Sequence, residues 1–138
     1  MNDPVTAWLL EDSDPSVRYR TLTELLEESP DSPRVQQTRA GIESSKDVTR
    51  MLESMHPDGY WLQKNPRTGE VTGDGTKYGA FATTHFILAY LAELGMDATH
   101  PQIARAADRY LGLQQPDGDF INHYSCLAGM NIRTFILL

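Results

Sequence analysis

One short motif occurs twice in this chain, and the repeat constrains the fold more than any other feature. The segments Pro57–Trp61 and Pro116–Phe120 both contain Pro-Asp-Gly, followed by an aromatic residue two positions after the glycine. A stretch with apolar residues at helical spacing precedes and follows each copy. Internal repeats of this kind indicate an array built from one helical unit. The sequence therefore predicts an all-α fold of antiparallel helical hairpins with an Asp-Gly turn in each.

Local signals predict where the helices begin and end. Asp3-Pro4, Asp14-Pro15 and Ser32-Pro33 each combine a capping side chain with a proline at the first helical position, where the missing N–H is not needed. Asp47 is predicted to cap a fourth helix. Gly95 is predicted to end the most apolar helix in a left-handed conformation. Together these signals predict about five to seven helices.

The repeat also predicts how the chain is organised. We expect a single helical-repeat domain with N-terminal helices in residues 1–44, the first repeat in 45–94 and a second, incomplete repeat in 95–138. Within residues 1–44, the segments Trp8–Leu10 and Asp14–Tyr19 resemble the start of HEAT-type helices, which implies that this part is HEAT-like. The last residues are apolar and lack the polar cap that repeat arrays need. We therefore expect the rest of a longer protein, or another copy in a homo-oligomer, to cover the final helix. The alternative is a final helix that packs back on its own chain.

Composition restricts the partners and the compartment. The chain has 12 basic and 19 acidic residues and a net charge of −7, which argues against nucleic acid and anionic membranes as partners. A single cysteine cannot form an internal disulfide. No apolar run approaches the length of a signal peptide or a membrane span. A cytoplasmic protein is the expectation.

The second turn resembles a known family. The segment Gln114–Phe120 resembles the glutamine–tryptophan repeat of squalene-hopene cyclases and their prenyltransferase-like relatives, with Phe120 in place of tryptophan. The first copy keeps Gly59 and Trp61 but has Met55-His56 where glutamine is expected. The resemblance implies an arc of an α/α toroid, in which an inner ring of helices lies inside an outer ring. A HEAT-like α-solenoid is the alternative.

The catalytic residues of that family are not carried over to this chain. The family's acid motif is Asp-x-Asp-Asp, and the nearest match, Asp12–Pro15, ends in a proline at a helix start and fits a cap. The zinc-binding Asp and Cys of the prenyltransferases are two positions apart, whereas Asp119 and Cys126 are farther apart. The catalytic residues remain unknown, and no cofactor is predicted.

Aromatic residues are the candidates for a ligand pocket, because ring faces can stabilise cationic isoprenoid intermediates. The candidates are Tyr60, Trp61, Tyr78, His85, Phe120 and Tyr124. Core packing is the alternative for the aromatic residues, and a hydrogen-bonded structural histidine is the alternative for His85. The residues predicted to shape the two turns are Asp58, Gly59, Asp117 and Gly118.

Two further features could bind ligands. His123 and Cys126 are spaced to share one helix face, but zinc needs three or four ligands, so no metal site is predicted. The loop insertion 63–76 is rich in turn residues, and Tyr60–Gln63 is expected to pair with Val71 as a small hairpin. A small anionic ligand or a tolerated insertion would each explain its basic residues, Lys64, Arg67 and the adjacent Lys77.

Three functions remain open at this point. The leading hypothesis is a terpene-cyclase/prenyltransferase-like repeat segment without a catalytic motif, which binds a small hydrophobic ligand or another protein. The second is an enzyme acting on isoprenoid or prenyl diphosphate substrates, with its catalytic residues outside this segment. The third is a HEAT-like scaffold for protein–protein interaction.

Overall fold

Helices dominate the structure of this chain. A computed structural model describes residues 3–11, 14–72, 78–114 and 116, with the backbone alone for residue 72 and residues 78–82. Those residues form six α-helices, one π-helical turn and one pair of short strands. In chain order the elements are α1 (Pro4–Leu9), α2 (Pro15–Arg20), the π-helical turn (Thr21–Leu25), α3 (Pro33–Glu43), α4 (Lys46–Glu53), β1 (Gln63–Lys64), β2 (Val71–Thr72), α5 (Tyr78–Glu93) and α6 (Pro101–Leu111). The all-α class is confirmed, and the repeat arrangement stays a prediction.

Proline and a capping side chain begin four of these helices. The carboxylates of Asp3 and Asp14 accept backbone N–H groups at the starts of α1 and α2, and the hydroxyl of Ser32 does so at the start of α3. The ring of His100 plays the same part for α6. Because the first N–H groups of a helix have no partner within it, each cap stabilises its helix by about 1 kcal/mol.

The predicted cap of α4 is wrong. Ser45 is the capping residue, and its hydroxyl accepts the N–H of Val48 at 3.4 Å. Asp47 lies in the first turn of the helix instead. A carboxylate is favourable there as well, because it faces the positive end of the helix dipole. Serine and aspartate are both common capping residues, so the sequence alone does not show whether Ser45 or Asp47 caps α4.

The π-helical turn rotates the chain after α2. The spacing of Val17, Leu22, Leu25 and Leu26 predicts that all four face one side of a helix. In the structure Leu22 is completely buried, whereas Val17 is 41%, Leu25 57% and Leu26 41% exposed. A π-helical turn contains one residue more than an α-helical turn, which changes the direction of the side chains that follow. The predicted face is wrong for the two leucines at the end of this turn and also for Val17, which precedes it.

The predicted hairpin is present in a shorter form. β1 and β2 pair antiparallel, with Gln63 opposite Thr72 and Lys64 opposite Val71. The presence of a hairpin here is confirmed, but the predicted strand Tyr60–Gln63 is wrong except for Gln63, since the partner of Val71 is Lys64. Both strands lie inside the predicted insertion, so the insertion has structure of its own.

Gly95 follows the end of α5 in a left-handed conformation, as predicted. Its φ is +97°, its N–H donates to the carbonyl of Ala92 at 3.0 Å, and the N–H of Met96 donates to the carbonyl of Leu91 at 3.0 Å. These two bonds satisfy carbonyls that the end of α5 leaves without helical partners. Met96 and Leu91 are both buried, so the turn is also fixed by apolar packing.

Two arginines attach the N-terminal helices to the corner between α5 and α6. The Nε of Arg20 donates to the carbonyl of Glu93 at 2.8 Å. The guanidinium of Arg39, on α3, donates to the carboxylate of Asp97 at 2.6 Å. Both contacts join segments that are far apart in the sequence. The N-terminal helices and the α5–α6 corner are therefore parts of one packed structure.

The hydrophobic core of the described residues lies between α3, α4, α5 and α6. Its buried members are Ile42, Val48, Leu52, Trp61, Leu88, Leu91, Met96, Ile103, Ala106 and Tyr110. The helical spacing of α6 predicted Ile103, Ala106 and Tyr110 correctly, while Leu111 is 43% exposed. Within the described ranges, no helix is long and apolar enough to cross a membrane.

Candidate functional site

The first Asp-Gly turn is a tight loop between α4 and Trp61. The N–H of His56 donates to the carbonyl of Tyr60 at 2.8 Å, and the N–H of Gly59 donates to the carbonyl of His56 at 2.9 Å. Gly59 has a φ of +83°, and a Cβ there would lie 3.1 Å from the side chain and the carbonyl oxygen of Arg105. Glycine is required at this position both by its backbone angle and by its distance to α6.

Trp61 joins the two helices on either side of this turn. Its indole N–H donates to the carbonyl of Met51 at 2.8 Å, in the last turn of α4, and its backbone N–H donates to the hydroxyl of Thr84 at 3.0 Å, on α5. The amide of Gln102, on α6, donates to the next carbonyl of α4, that of Leu52, at 3.1 Å. The carbonyls at the end of α4 are thus satisfied by groups from its neighbours.

Tyr60, on the same turn, contacts an aromatic ring on one side and a guanidinium group on the other. Its ring stacks on that of His56, with the centroids 4.3 Å apart, and the guanidinium carbon of Arg109 lies 4.5 Å from the Tyr60 centroid. Arg105, one helical turn before Arg109, donates to the carbonyl of Pro57 at 3.2 Å. Cation–π contacts of this kind contribute about 0.5–1 kcal/mol when partly exposed. The two arginines hold the turn against α6.

His85 and Tyr110 form a buried polar pair between α5 and α6. The Nδ1 of His85 and the phenol oxygen of Tyr110 are 2.8 Å apart, and the residues are 2% and 1% exposed. Burial lowers the pKa of His85 and raises the pKa of Tyr110. Both groups are therefore neutral at neutral pH, as expected for polar groups that share a hydrogen bond in a core.

The predicted pocket residues have different outcomes. Tyr60, Trp61 and His85 are described, and all three are buried around the junction of α4, α5 and α6. The side chain of Tyr78 lies outside the described residues. The remaining sites predicted from the second repeat also lie outside them, namely Asp117, Gly118, Phe120, His123, Tyr124 and Cys126.

Open hollows lie at the N-terminal helices, where the sequence predicted no site. One, of about 140 Å³, is lined by Trp8, Leu9, Glu11, Asp14 and Val17. A second, of about 420 Å³, lies between α2 and α3 and is lined by Pro15, Arg18, Gln37, Thr38 and Gly41. Nothing in the sequence marked these hollows, because the exposure of Trp8 depends on what packs against α1, and none of the 6 residues of that helix is buried.

The search for metal ligands and the comparisons with known proteins identify no further site residues among those that the structure describes. Among the residues the structure describes, no three His, Cys, Asp or Glu side chains are grouped so as to hold a metal ion. The site is therefore defined by the first turn, the His85–Tyr110 pair and the N-terminal hollows. No family model, no curated protein and no solved structure matches this chain.

Proposed function

We propose that this chain is a helical-repeat segment of the terpene-cyclase/prenyltransferase-like kind and that it acts by binding another protein. The observation that carries the repeat assignment is the position of Trp61. Its ring N–H is bonded to α4 and its backbone N–H to α5. An aromatic residue that follows an Asp-Gly turn and bonds to the helices before and after it is what we expect of a repeating helix–turn–helix unit, whose parts must be fixed to one another. An arc of an α/α toroid is the arrangement we propose for such units.

The second apolar face of α5 supports a binding role. Leu88 and Leu91 face the core and are completely buried. Successive residues of a helix are about 100° apart, so Phe86 and Tyr90 lie on roughly the opposite side from Leu88. They are 53% and 52% exposed. A helix that is apolar on both sides is expected to pack on both sides.

A protein partner fits this face better than a small ligand. Phe86 and Tyr90 are one helical turn apart and form an exposed stripe along α5. Stripes of this spacing are contacted by helices and other extended surfaces, whereas small ligands favour concave pockets that enclose them. The aromatic residues with the most enclosed surroundings, Trp61 and His85, are occupied by hydrogen bonds within the chain.

Site-specific photo-crosslinking tests this proposal. A benzophenone amino acid is placed at position 86 or 90, and at position 53 as a control on an exposed, polar part of α4. In cells that produce the chain, we expect one and the same adduct from positions 86 and 90 and none from position 53. Equal adducts from all three positions, or none from α5, would contradict a binding face on α5.

Calorimetry separates the protein-binding proposal from isoprenoid binding. Farnesyl diphosphate is titrated into the purified chain, with inorganic diphosphate as the control. Saturable heat with farnesyl diphosphate alone, lost in a Phe86→Ala, Tyr90→Ala double variant, would replace the protein partner by an isoprenoid ligand. Turnover of farnesyl diphosphate by the chain would instead favour the enzyme hypothesis.

A further inference from the structure

α1 carries apolar side chains that the core does not use. None of its residues is buried, and Val5 and Trp8 are 58% and 66% exposed. Val17, at the start of α2, is 41% exposed and lines the same hollow as Trp8. We call Trp8, Leu9 and Val17, together with the acidic Glu11 and Asp14 beside them, the Trp8 surface. An exposed tryptophan beside a hollow marks an interaction site more often than an isolated exposed aliphatic residue does.

The hollow has room for a side chain from a partner. Its volume of about 140 Å³ is several times the share that one water molecule occupies in the liquid, about 30 Å³. Trp8, Leu9 and Val17 provide apolar walls on its sides. Tryptophan offers a large, rigid contact area at small entropic cost. An aliphatic side chain that entered the hollow would therefore be removed from water on several sides.

The two charged residues that line the hollow are both acidic. Glu11 and Asp14 line it, and Asp3 begins the same helix as Trp8. Before Arg18 the chain contains no lysine or arginine. The carboxylates of Asp3 and Asp14 are held at the helix starts by backbone N–H groups, whereas Glu11 is exposed. A partner that covers this surface must therefore bring positive charge.

We propose that the Trp8 surface is a docking site for a basic amphipathic helix of another polypeptide. An aliphatic residue of that helix enters the hollow against Trp8, and its lysines or arginines lie near Glu11 and Asp14. The charge argues against two other occupants. A second copy of this chain, with its net charge of −7, would bring like charge to the surface, and so would an anionic membrane. This inference builds on the proposed binding function and gives it one partner chemistry.

The direct test uses defined peptides. A fluorescein-labelled 18-residue helix of leucine and lysine is titrated with the full chain and followed by anisotropy. A leucine and glutamate helix of the same pattern is the matched control. We expect saturable binding of the lysine peptide that weakens as salt is raised, and none of the glutamate peptide. Equal binding of the two peptides would overturn the proposal.

Variants locate the binding. Trp8→Ala should weaken binding of the lysine peptide by at least about tenfold, because a buried aromatic anchor is lost, while Trp8→Phe should retain most of it. Glu11→Lys should weaken binding by about threefold or more at low salt, and Glu53→Lys, on α4, should leave it unchanged. Unchanged binding by Trp8→Ala, or equal losses in the two glutamate variants, would overturn the proposal.

Two controls keep the result interpretable. Far-ultraviolet circular dichroism of Trp8→Ala should match the wild type, because α1 has no buried residue whose packing depends on Trp8. Sedimentation of the chain alone tests the other occupant. A dimer that Trp8→Ala dissociates would show that a second copy covers the surface and would overturn the proposal. The Trp8 and glutamate variants leave α5 unchanged, so peptide that binds to the exposed face of α5 would still bind to Trp8→Ala. A negative result here therefore leaves the crosslinking test of the proposed function unaffected.

Discussion

His85 and Tyr110 share a 2.8 Å hydrogen bond across the interface between α5 and α6, where both side chains are almost completely buried. Around them the core is otherwise mostly apolar. A charged imidazole would be costly at this position, and burial accordingly lowers the pKa of His85. The pair therefore couples the packing of two helices to the protonation of one ring.

The stability of the fold should depend on this ring near neutral pH. In the unfolded chain the histidine titrates near its ordinary value of about 6.5, whereas in the folded chain its pKa is lower. Between the two values the unfolded state binds more protons, so the free energy of unfolding should fall as the pH drops below about 6.5. One proton limits the slope to about 1.4 kcal/mol per pH unit. Above about pH 7.5 His85 is neutral in both states, so the free energy of unfolding should no longer change with pH because of this residue.

Urea unfolding across pH 5–8 measures this dependence. His85→Gln keeps a polar side chain near Tyr110 but does not titrate, so its slope between about pH 5 and 7 should be shallower than that of the wild type. His56→Gln is the control, because the side chain of His56 is 39% exposed and lies outside the core. If His85→Gln and the wild type lose stability in parallel, the buried pair is not the source of the pH dependence.

Replacement by phenylalanine should lower the free energy of unfolding much more at Trp61 than at Trp8. Trp61→Phe removes the indole N–H that bonds to the carbonyl of Met51 and leaves space in the core, where Trp61 is almost completely buried. The carbonyl keeps its bonds to Ser54, so we expect the smaller ring and the lost bond together to lower the free energy of unfolding by about 1–3 kcal/mol. Trp8→Phe changes a side chain that is 66% exposed and should alter stability by less than about 0.5 kcal/mol. Urea unfolding of both variants provides the comparison. Similar losses in the two would argue against the bridging role of Trp61.

Alanine substitutions at Gly69 and Gly95 should distinguish the cost of backbone strain from the cost of steric overlap. Gly69 has a φ of +73° and no heavy atom within 4 Å of an added Cβ, so Gly69→Ala should cost about 1–2 kcal/mol from the left-handed conformation alone. At Gly95, where φ is +97°, the added Cβ would lie 2.7 Å from the ring of Tyr19. Gly95→Ala should therefore lower the free energy of unfolding by clearly more than Gly69→Ala. Thermal or urea unfolding that ranks them equally would mean that Tyr19 can move aside at little cost.

The ion pair between Arg39 and Asp97 should contribute to stability and respond to acid. Partial burial by itself raises the pKa of Asp97, but hydrogen bonds from Thr99 and the bond and charge of Arg39 outweigh it, and the net shift is downward. Its contribution should therefore be present above about pH 4 and be lost as the pH falls further. Arg39→Met should cost about 1 kcal/mol at neutral pH, whereas Arg50→Met, at an exposed pair, should cost nearly nothing. Urea unfolding at pH 7 and pH 3 should show a smaller difference between these variants at the lower pH.

Local chemistry made the helix starts and the left-handed corner predictable. A capping side chain followed by proline marks Asp14-Pro15 and Ser32-Pro33 without reference to the rest of the fold, and Gly95 is marked by its position after an apolar helix. The π-helical turn was not predictable, because no residue in Thr21–Leu25 requires an extra residue in the turn. Its consequence, the exposure of Leu25, depends on how the whole segment packs.

The candidate site was predictable in its residues and not in their contacts. Tyr60, Trp61 and His85 were identified as chemically distinctive, but the partners of Trp61 and His85 come from distant segments. Tyr110 was predicted on the core side of α6, and nothing in the sequence paired its hydroxyl with His85. The exposure of Trp8 followed from the lack of packing against α1, which the apolar pattern of the helix does not reveal.

The hydrogen bonds from Arg20 to Glu93 and from Arg39 to Asp97 join the N-terminal helices to the rest of the chain. They therefore limit where the chain can be cut into independently folding parts. The sequence pattern suggests a boundary at residue 44, between N-terminal helices and a first repeat. A fragment cut there would lose both guanidinium groups and also Ile42, which belongs to the same core as Leu91. The N-terminal helices are therefore not a separable unit. A fragment that begins after residue 44 would expose apolar side chains to solvent and is expected to aggregate or to remain partly unfolded.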